Sequence, residues 1–134
     1  MEDIFVGRLM SSPVHSVSPD ATLSEAATEM LEQGIGSLVV VDDDHHLEGI
    51  LTATDFVKLA ADDADAADTT VGDRMSTDVV TTTADAHIRD VGDLMVEHGF
   101  HHVPVLEDDE GVIGMVTTTD LAAYLSHIET PSPS

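Results

Sequence analysis

Two four-residue segments carry residue types whose spacing can do recognition chemistry. They are Thr52-Ala53-Thr54-Asp55 and Thr117-Thr118-Thr119-Asp120. Each follows a glycine and two apolar residues (Gly49-Ile50-Leu51 and Gly114-Met115-Val116), the pattern of a strand passing into a helix. A Thr closing such a strand and an Asp three residues on both lie near a helix N-terminus. Backbone amides there lack intrahelical partners and the helix dipole is positive, which suits a phosphate. The Thr hydroxyl adds a donor, while an ionised Asp only accepts, with two oxygens able to take both hydroxyls of a ribose. The same spacing also serves as a plain helix cap, in which Thr and Asp satisfy only their own backbone.

Other candidate groups lead elsewhere. His101-His102 stand side by side in a β-prone segment, so they point to opposite faces and a two-histidine metal site is not expected. His45-His46 fall in an acidic turn and are expected in solvent. Asp42-Asp43-Asp44 and Glu107-Asp108-Asp109-Glu110 read as solvated acidic turns. The chain has no cysteine, no Gly-x-Ser-x-Gly elbow, no Walker lysine and no metal-ligand constellation. A non-enzymatic role with no required cofactor is expected.

The elements that must position these residues repeat. A shift of 65 residues, without a gap, superposes Val6-Gly7 on Val71-Gly72, Met10-Ser11 on Met75-Ser76, Met30 on Met95, Gly34 on Gly99, and Thr52 through Asp55 on Thr117 through Asp120. Each copy reads β-α-β-β-α. Short Val/Thr-rich strands span Val14 to Val17 and Val79 to Thr82. Thr22-Leu23-Ser24-Glu25 is a capping box, and Leu23, Ala26, Ala27, Met30 and Leu31 share one helical face. Gly34 and Gly99 stand where a left-handed C-terminal glycine ends a helix. Ser37 to Val41 and Val103 to Leu106 read as buried strands, each followed by a second strand to Thr52 or Thr117 and a final helix. Met10, Met30, Met75 and Met95 read as core filler. A unit of half this length buries too little surface alone, so the two copies are expected to share a core.

These residues resemble the CBS-domain family, whose members occur as tandem pairs called Bateman modules. The resemblance rests on Gly99-Phe100-His101-His102-Val103-Pro104 with the motif ending in Asp120, and on Gly34-Ile35-Gly36-Ser37-Leu38-Val39 with the motif ending in Asp55. Val39 stands where the family often has proline. The resemblance implies an α/β (α+β) fold of two packed β-α-β-β-α units with pseudo-two-fold symmetry. The implied partition is domain 1 at 4–61, an acidic linker or helix extension at 62–70, domain 2 at 71–127 and a disordered tail at 128–134. It further implies a regulatory module that binds an adenine nucleotide or S-adenosylmethionine, with or without Mg2+, in the cleft between units. Asp55 and Asp120 would hold the ribose, with Thr52 and Thr117 by ribose or phosphate. Ile35, Phe100, Leu38 and Val103 would line the adenine slot, and Ser16 and Thr81 would close it. Ser37 and His102 occupy the position from which members often reach phosphate. Thr54, Thr119, Val79 and Pro104 complete the implied nucleotide-binding set. Homodimerisation through helix faces is also implied, as is a regulated protein partner. A purely structural module is the alternative.

Composition narrows the setting. With 27 acidic and four basic residues among 134, the formal charge is −23. Four scattered cations (Arg8, Lys58, Arg74, Arg89) make no phosphate-tracking stripe, so nucleic acid is not an expected partner. Self-repulsion of this size is relieved when molar salt shortens the Debye length to about 3 Å, which points to a high-salt cytoplasm. The start Met1-Glu2-Asp3-Ile4 lacks a signal-peptide pattern, and the longest apolar run is far too short to span a membrane.

Overall fold

The structure, a computed structural model, describes residues 4–12, 14–107 and 111–129, and the side chains of all but the last three of these. The second acidic turn beyond Glu107 and the tail from Thr130 lie outside the described residues. The elements are α1 (Val6–Leu9), β1 (Ser16–Val17), α2 (Leu23–Gln33), β2 (Ser37–Val41), β3 (Leu47–Thr52) and α3 (Ala53–Ala61). The second series is α4 (Val71–Arg74), β4 (Thr82–Thr83), α5 (Ile88–His98), β5 (His102–Glu107), β6 (Gly111–Thr117) and α6 (Thr118–Glu129). The fold is mixed α/β with two three-stranded sheets, ordered β1-β2-β3 and β4-β5-β6. In each, the short first strand pairs in parallel with the second, which forms an antiparallel hairpin with the third.

Local sequence accounts for these elements. Thr22 accepts the Glu25 amide (3.1 Å) and Glu25 accepts that of Thr22 (3.0 Å), so the expected capping box starts α2. Both accepted amide and hydroxyl bonds from Thr22 hold the Glu25 carboxyl below its ordinary range. The helices α2 and α5 end at Gly34 (φ 64°) and Gly99 (φ 72°), in the left-handed region where glycine has no Cβ penalty. Four consecutive residues of β2, Ser37 to Val40, are buried, as expected of a strand covered on both faces.

The compact units cut across the sequence repeats. One unit comprises Val14–Val79; the other joins Met1–Pro13 to Val80–Ser134. Each short lead helix therefore docks on the opposite repeat. The amides of Val6 and Gly7 donate to the carbonyls of Ala86 (2.8 Å) and Ala84 (2.9 Å). Val71 and Gly72 do the same to Ala21 (2.8 Å) and Pro19 (2.9 Å). Val71 is fully buried in the core of Leu23, Ala26, Met30, Leu38, Val40, Leu51 and Leu59. Val6 takes the equivalent place with Val91, Met95, Val103, Val105 and Val116. A fully buried valine stabilises by about 1.5–3 kcal/mol.

The lead segments, to which the sequence analysis assigns no element, are short helices ahead of each β-α-β-β-α series. Two expectations are corrected. The first strands shrink to two residues. Pro19, which has no amide proton, follows closely on Val17, while Val79 and Thr81 precede β4 because Ser76 is still paired with Ile50 in the first unit (2.9 Å in both directions). Finally, the stretch 62–70 is neither a loose linker nor a helix extension but a set of docked turns. Asp65 accepts the Ala67 amide (2.9 Å), Thr69 and Ala66 accept the amides of Leu23 and Ser24, and Ala64 and Ala66 pack on the core.

Candidate ligand-binding site

Each unit gathers its candidate residues at one strand-to-helix corner. In the first, the hairpin register sets Ser37 directly opposite Thr52, at the point where β3 passes into α3. The Thr52 amide donates to Asp55 Oδ2 (2.8 Å), and the Ala53 amide to the Gly36 carbonyl (3.3 Å). Asp55 is buried, with 6% of its surface exposed, yet one carboxylate oxygen is not used by this bond.

The second corner repeats the geometry with different chemistry. His102 stands opposite Thr117. The Thr117 amide donates to Asp120 Oδ2 (2.8 Å), the Asp120 amide to Thr117 Oγ1 (3.2 Å), and the Thr118 amide to the His101 carbonyl (3.0 Å). Asp120 is half-buried. His102 Nδ1 is buried with no hydrogen-bond partner among the described residues. Burial pulls the His102 ring below its ordinary pKa, neighbouring His101 pulls the same way, and Asp120 opposes both.

The expectation of bare amides at these corners therefore needs revision. Caps and cross-strand carbonyls already take those of Thr52, Ala53, Thr117, Thr118 and Asp120. Thr54 and Thr119 are exposed in the first turns of α3 and α6, where their amides are not used by these bonds. Leu38 and Val103, expected to line an adenine slot, are fully buried in the two cores, and Pro104, between Val103 and Val105 on β5, is fully buried outside that cluster. They fix the strand beneath the corner. Ile35 is half-buried against the first core, and half-buried Phe100 stacks on His98 with ring centroids 5.6 Å apart. Ser16 is exposed and paired with Val39 in the unit of the first corner. Thr81 is half-buried just ahead of β4, and Val79 ends the other unit.

Sequence reasoning missed why the motif begins with glycine. A Cβ on Gly49 would lie 2.6 Å from the Ser76 carbonyl oxygen and 2.9 Å from Met75 Sδ. On Gly114 it would lie 2.7 Å from Met10 Sδ and 3.0 Å from the Ser11 carbonyl oxygen. These glycines admit the end of the exchanged lead helix against the strand that leads into each corner. The signal was present, since Met10-Ser11 and Met75-Ser76 share the repeat register with Gly49 and Gly114.

None of the four basic residues belongs to either corner set. Arg74 pairs with Asp62 (2.7 Å) instead. Asp42, Asp44 and His46 place potential metal-binding atoms within 4.8 Å of one another in the first hairpin turn, on a mostly exposed surface. Asp42 already accepts the amides of Asp44 (2.8 Å) and His46 (2.9 Å). Among the described residues no helix is long and apolar enough to cross a membrane.

Comparison with known proteins agrees with this construction. The CBS domain family matches residues 6–62 and 71–127. An uncharacterized 17.7 kDa protein of Acidianus ambivalens is 38% identical over 93% of this chain and 75% of its own length. The chain is also 33% identical to inosine-5′-monophosphate dehydrogenase of Halobacterium salinarum, but spans only 22% of that enzyme's length. The crystal structure of the CBS domain pair of protein MJ0100, in complex with 5′-methylthioadenosine and S-adenosyl-L-methionine, superposes with a TM-score of 0.89 at 26% identity, covering 96% of this chain and 100% of that one. Hypoxic Response Protein I, solved with two coordinated zinc ions, superposes with a TM-score of 0.78 at 31% identity, covering 90% of this chain and 98% of its own. With both repeats matched over most of its length, the chain belongs to the CBS-domain family as a tandem CBS pair.

Proposed function

We propose that this CBS pair is a non-catalytic regulatory module that binds an adenosine-containing ligand at its strand-to-helix corners. The observation that carries the reading is the duplicated corner. Twice, an Asp accepts the amide of the Thr that closes the strand three residues before it, buried at Asp55 and half-buried at Asp120. The likeness to the MJ0100 pair, which holds two adenosine derivatives, supports the same class. Two ribose hydroxyls can donate to such a carboxylate.

Charge selects within that class. A formal charge of −23 favours S-adenosylmethionine or AMP over ADP and ATP. Mg2+ or molar salt offsets the repulsion for the more highly charged nucleotides. The same surface charge suits a protein working in a high-salt cytoplasm. Binding that favours one arrangement of the chain shifts a population, and the regulated protein reads that shift.

A second reading, a structural module without a small ligand, is favoured by a different observation. Leu31 and Val96, at equivalent repeat positions on α2 and α5, are 84% and 86% exposed. Val57 on α3 and Leu125 on α6 are also exposed. Apolar side chains at matched positions on both units fit a homodimer formed through helix faces, which is compatible with either reading. Thermal unfolding in 2 M KCl against adenosine, AMP, ATP, S-adenosylmethionine and GMP separates them. A ligand at a hundred times its Kd adds about 2.7 kcal/mol of stability. A shift with adenosine compounds and none with GMP supports sensing. No shift with any compound leaves the scaffold.

A further inference from the structure

We propose, building on the adenosine-ligand reading, that the second corner binds a phosphate-bearing ligand with uptake of one proton at His102, so that the two corners of one chain answer differently to pH.

The two corners share a Thr-x-Thr-Asp ending, Thr52 to Asp55 and Thr117 to Asp120, but differ in acid-base chemistry at the position opposite the first Thr. Ser37 and His102 are equivalent, 65 positions apart, and each stands opposite the Thr that closes its corner (Thr52 and Thr117). A serine hydroxyl does not titrate in the physiological range, whereas an imidazole does. Ser37 is buried, and neither its hydroxyl nor Thr52 changes charge. His102 carries a buried ring nitrogen with no partner among the described residues. An orphaned buried polar atom calls for a group that completes it.

The surroundings decide which group. In its own unit the neighbours facing His102 are uncharged Thr117 on β6, Asp120 on α6 and His101 in the preceding turn. The ring of His98, at the end of α5, is stacked on Phe100. Asp120 already accepts the Thr117 amide. Burial and His101 favour the neutral ring, against the pull of Asp120. A phosphate anion at the corner supplies the negative charge that holds a second proton on the ring, and both ring nitrogens then donate. The proton comes from solvent and no covalent bond changes. Because binding takes up a proton, affinity rises as pH falls, by up to about tenfold per pH unit while the free ring is neutral.

The test is calorimetry on the full chain in 2 M KCl at pH 7.5 and 5.5, with AMP and with adenosine. The background is Asp55→Ala, which removes the first corner. The phosphate of AMP itself titrates near pH 6, so His102→Ser, which copies the first corner, is measured in parallel. AMP is expected to gain about tenfold or more in affinity on acidification with His102 present, several-fold more than with His102→Ser, and adenosine is expected to gain in neither. The His102 ring, followed by NMR, is expected to rise in pKa when AMP is added. Equal pH dependence in both proteins, or a ring pKa unmoved by AMP, overturns the proton link while leaving ligand binding intact. Failure of AMP and adenosine to bind the parent at either pH removes the adenosine-ligand reading, and the link with it.

Discussion

The backbone amide of Thr52 donates to the Asp55 carboxylate at 2.8 Å. The acid that closes the first corner thus ties the end of β3 to the first turn of α3. Asp55→Ala is expected to destabilise the protein by about 1 kcal/mol, as loss of a cap does. Asp55→Asn keeps a carbonyl acceptor for the Thr52 amide and is expected to recover most of that loss. Denaturant unfolding of the two variants checks this. Equal stability of parent and Asp55→Ala would mean the bond contributes nothing.

Gly114 admits Met10 and Ser11 where any side chain would collide. Gly114→Ala is expected to cost about 1–3 kcal/mol, the range for overpacking a filled site. Gly49→Ala is expected to cost at least as much, because the obstructing atom 2.6 Å away is the Ser76 backbone carbonyl and backbone yields less readily than methionine. Chemical denaturation reads both. In contrast, Gly92→Ala, whose nearest atom is a Leu121 side-chain carbon at 3.8 Å, is expected to be neutral or stabilising within helix α5.

The formal charge of −23 sets the response to salt. The melting temperature is expected to rise between 0.1 and 2 M KCl, and ATP affinity to rise more steeply with salt than that of S-adenosylmethionine. A melting temperature that falls with KCl would place the acidic surface outside any high-salt adaptation.

Leu31 and Val96 are apolar side chains on exposed helix positions. If helix faces carry a homodimer, the double variant Leu31→Lys and Val96→Lys is expected to sediment as a monomer with little change in unfolding midpoint per chain. Unchanged mass against the parent would move the interface elsewhere.

Much of this was legible in the sequence, and the reasons are local. Thr22 with Glu25, Gly34 and Gly99 encode caps whose geometry depends on a few adjacent residues, and the structure places them as read. The repeat located both corners because each is built from contiguous segments. What the sequence hid was long-range. Val6 and Val71 look like the first core residues of their own repeats, yet each fills the core of the other, and periodicity does not say which hydrophobic set a side chain joins. Residues 62–70 look like a polar linker because their acids face water, while their carbonyls and the Ala64 and Ala66 side chains do the docking. Leu38 and Val103 hold motif positions that imply a ligand slot, while strand alternation places their side chains in the cores. The resemblance puts His102 at a position from which members often reach phosphate, but its orphaned nitrogen depends on three-dimensional packing that the sequence does not display.

The central claim is that Asp55 and Asp120 recognise the ribose of an adenosine ligand. Calorimetry with S-adenosylmethionine and AMP in 2 M KCl tests it most directly, on the parent, Asp55→Ala, Asp120→Ala and the double variant. Each single substitution removes up to two charge-assisted hydrogen bonds of about 1.5–3 kcal/mol, so affinity at its own corner is expected to fall by one to several decades. The double variant is expected to bind neither compound detectably. Parent-like affinity in the double variant would contradict the account.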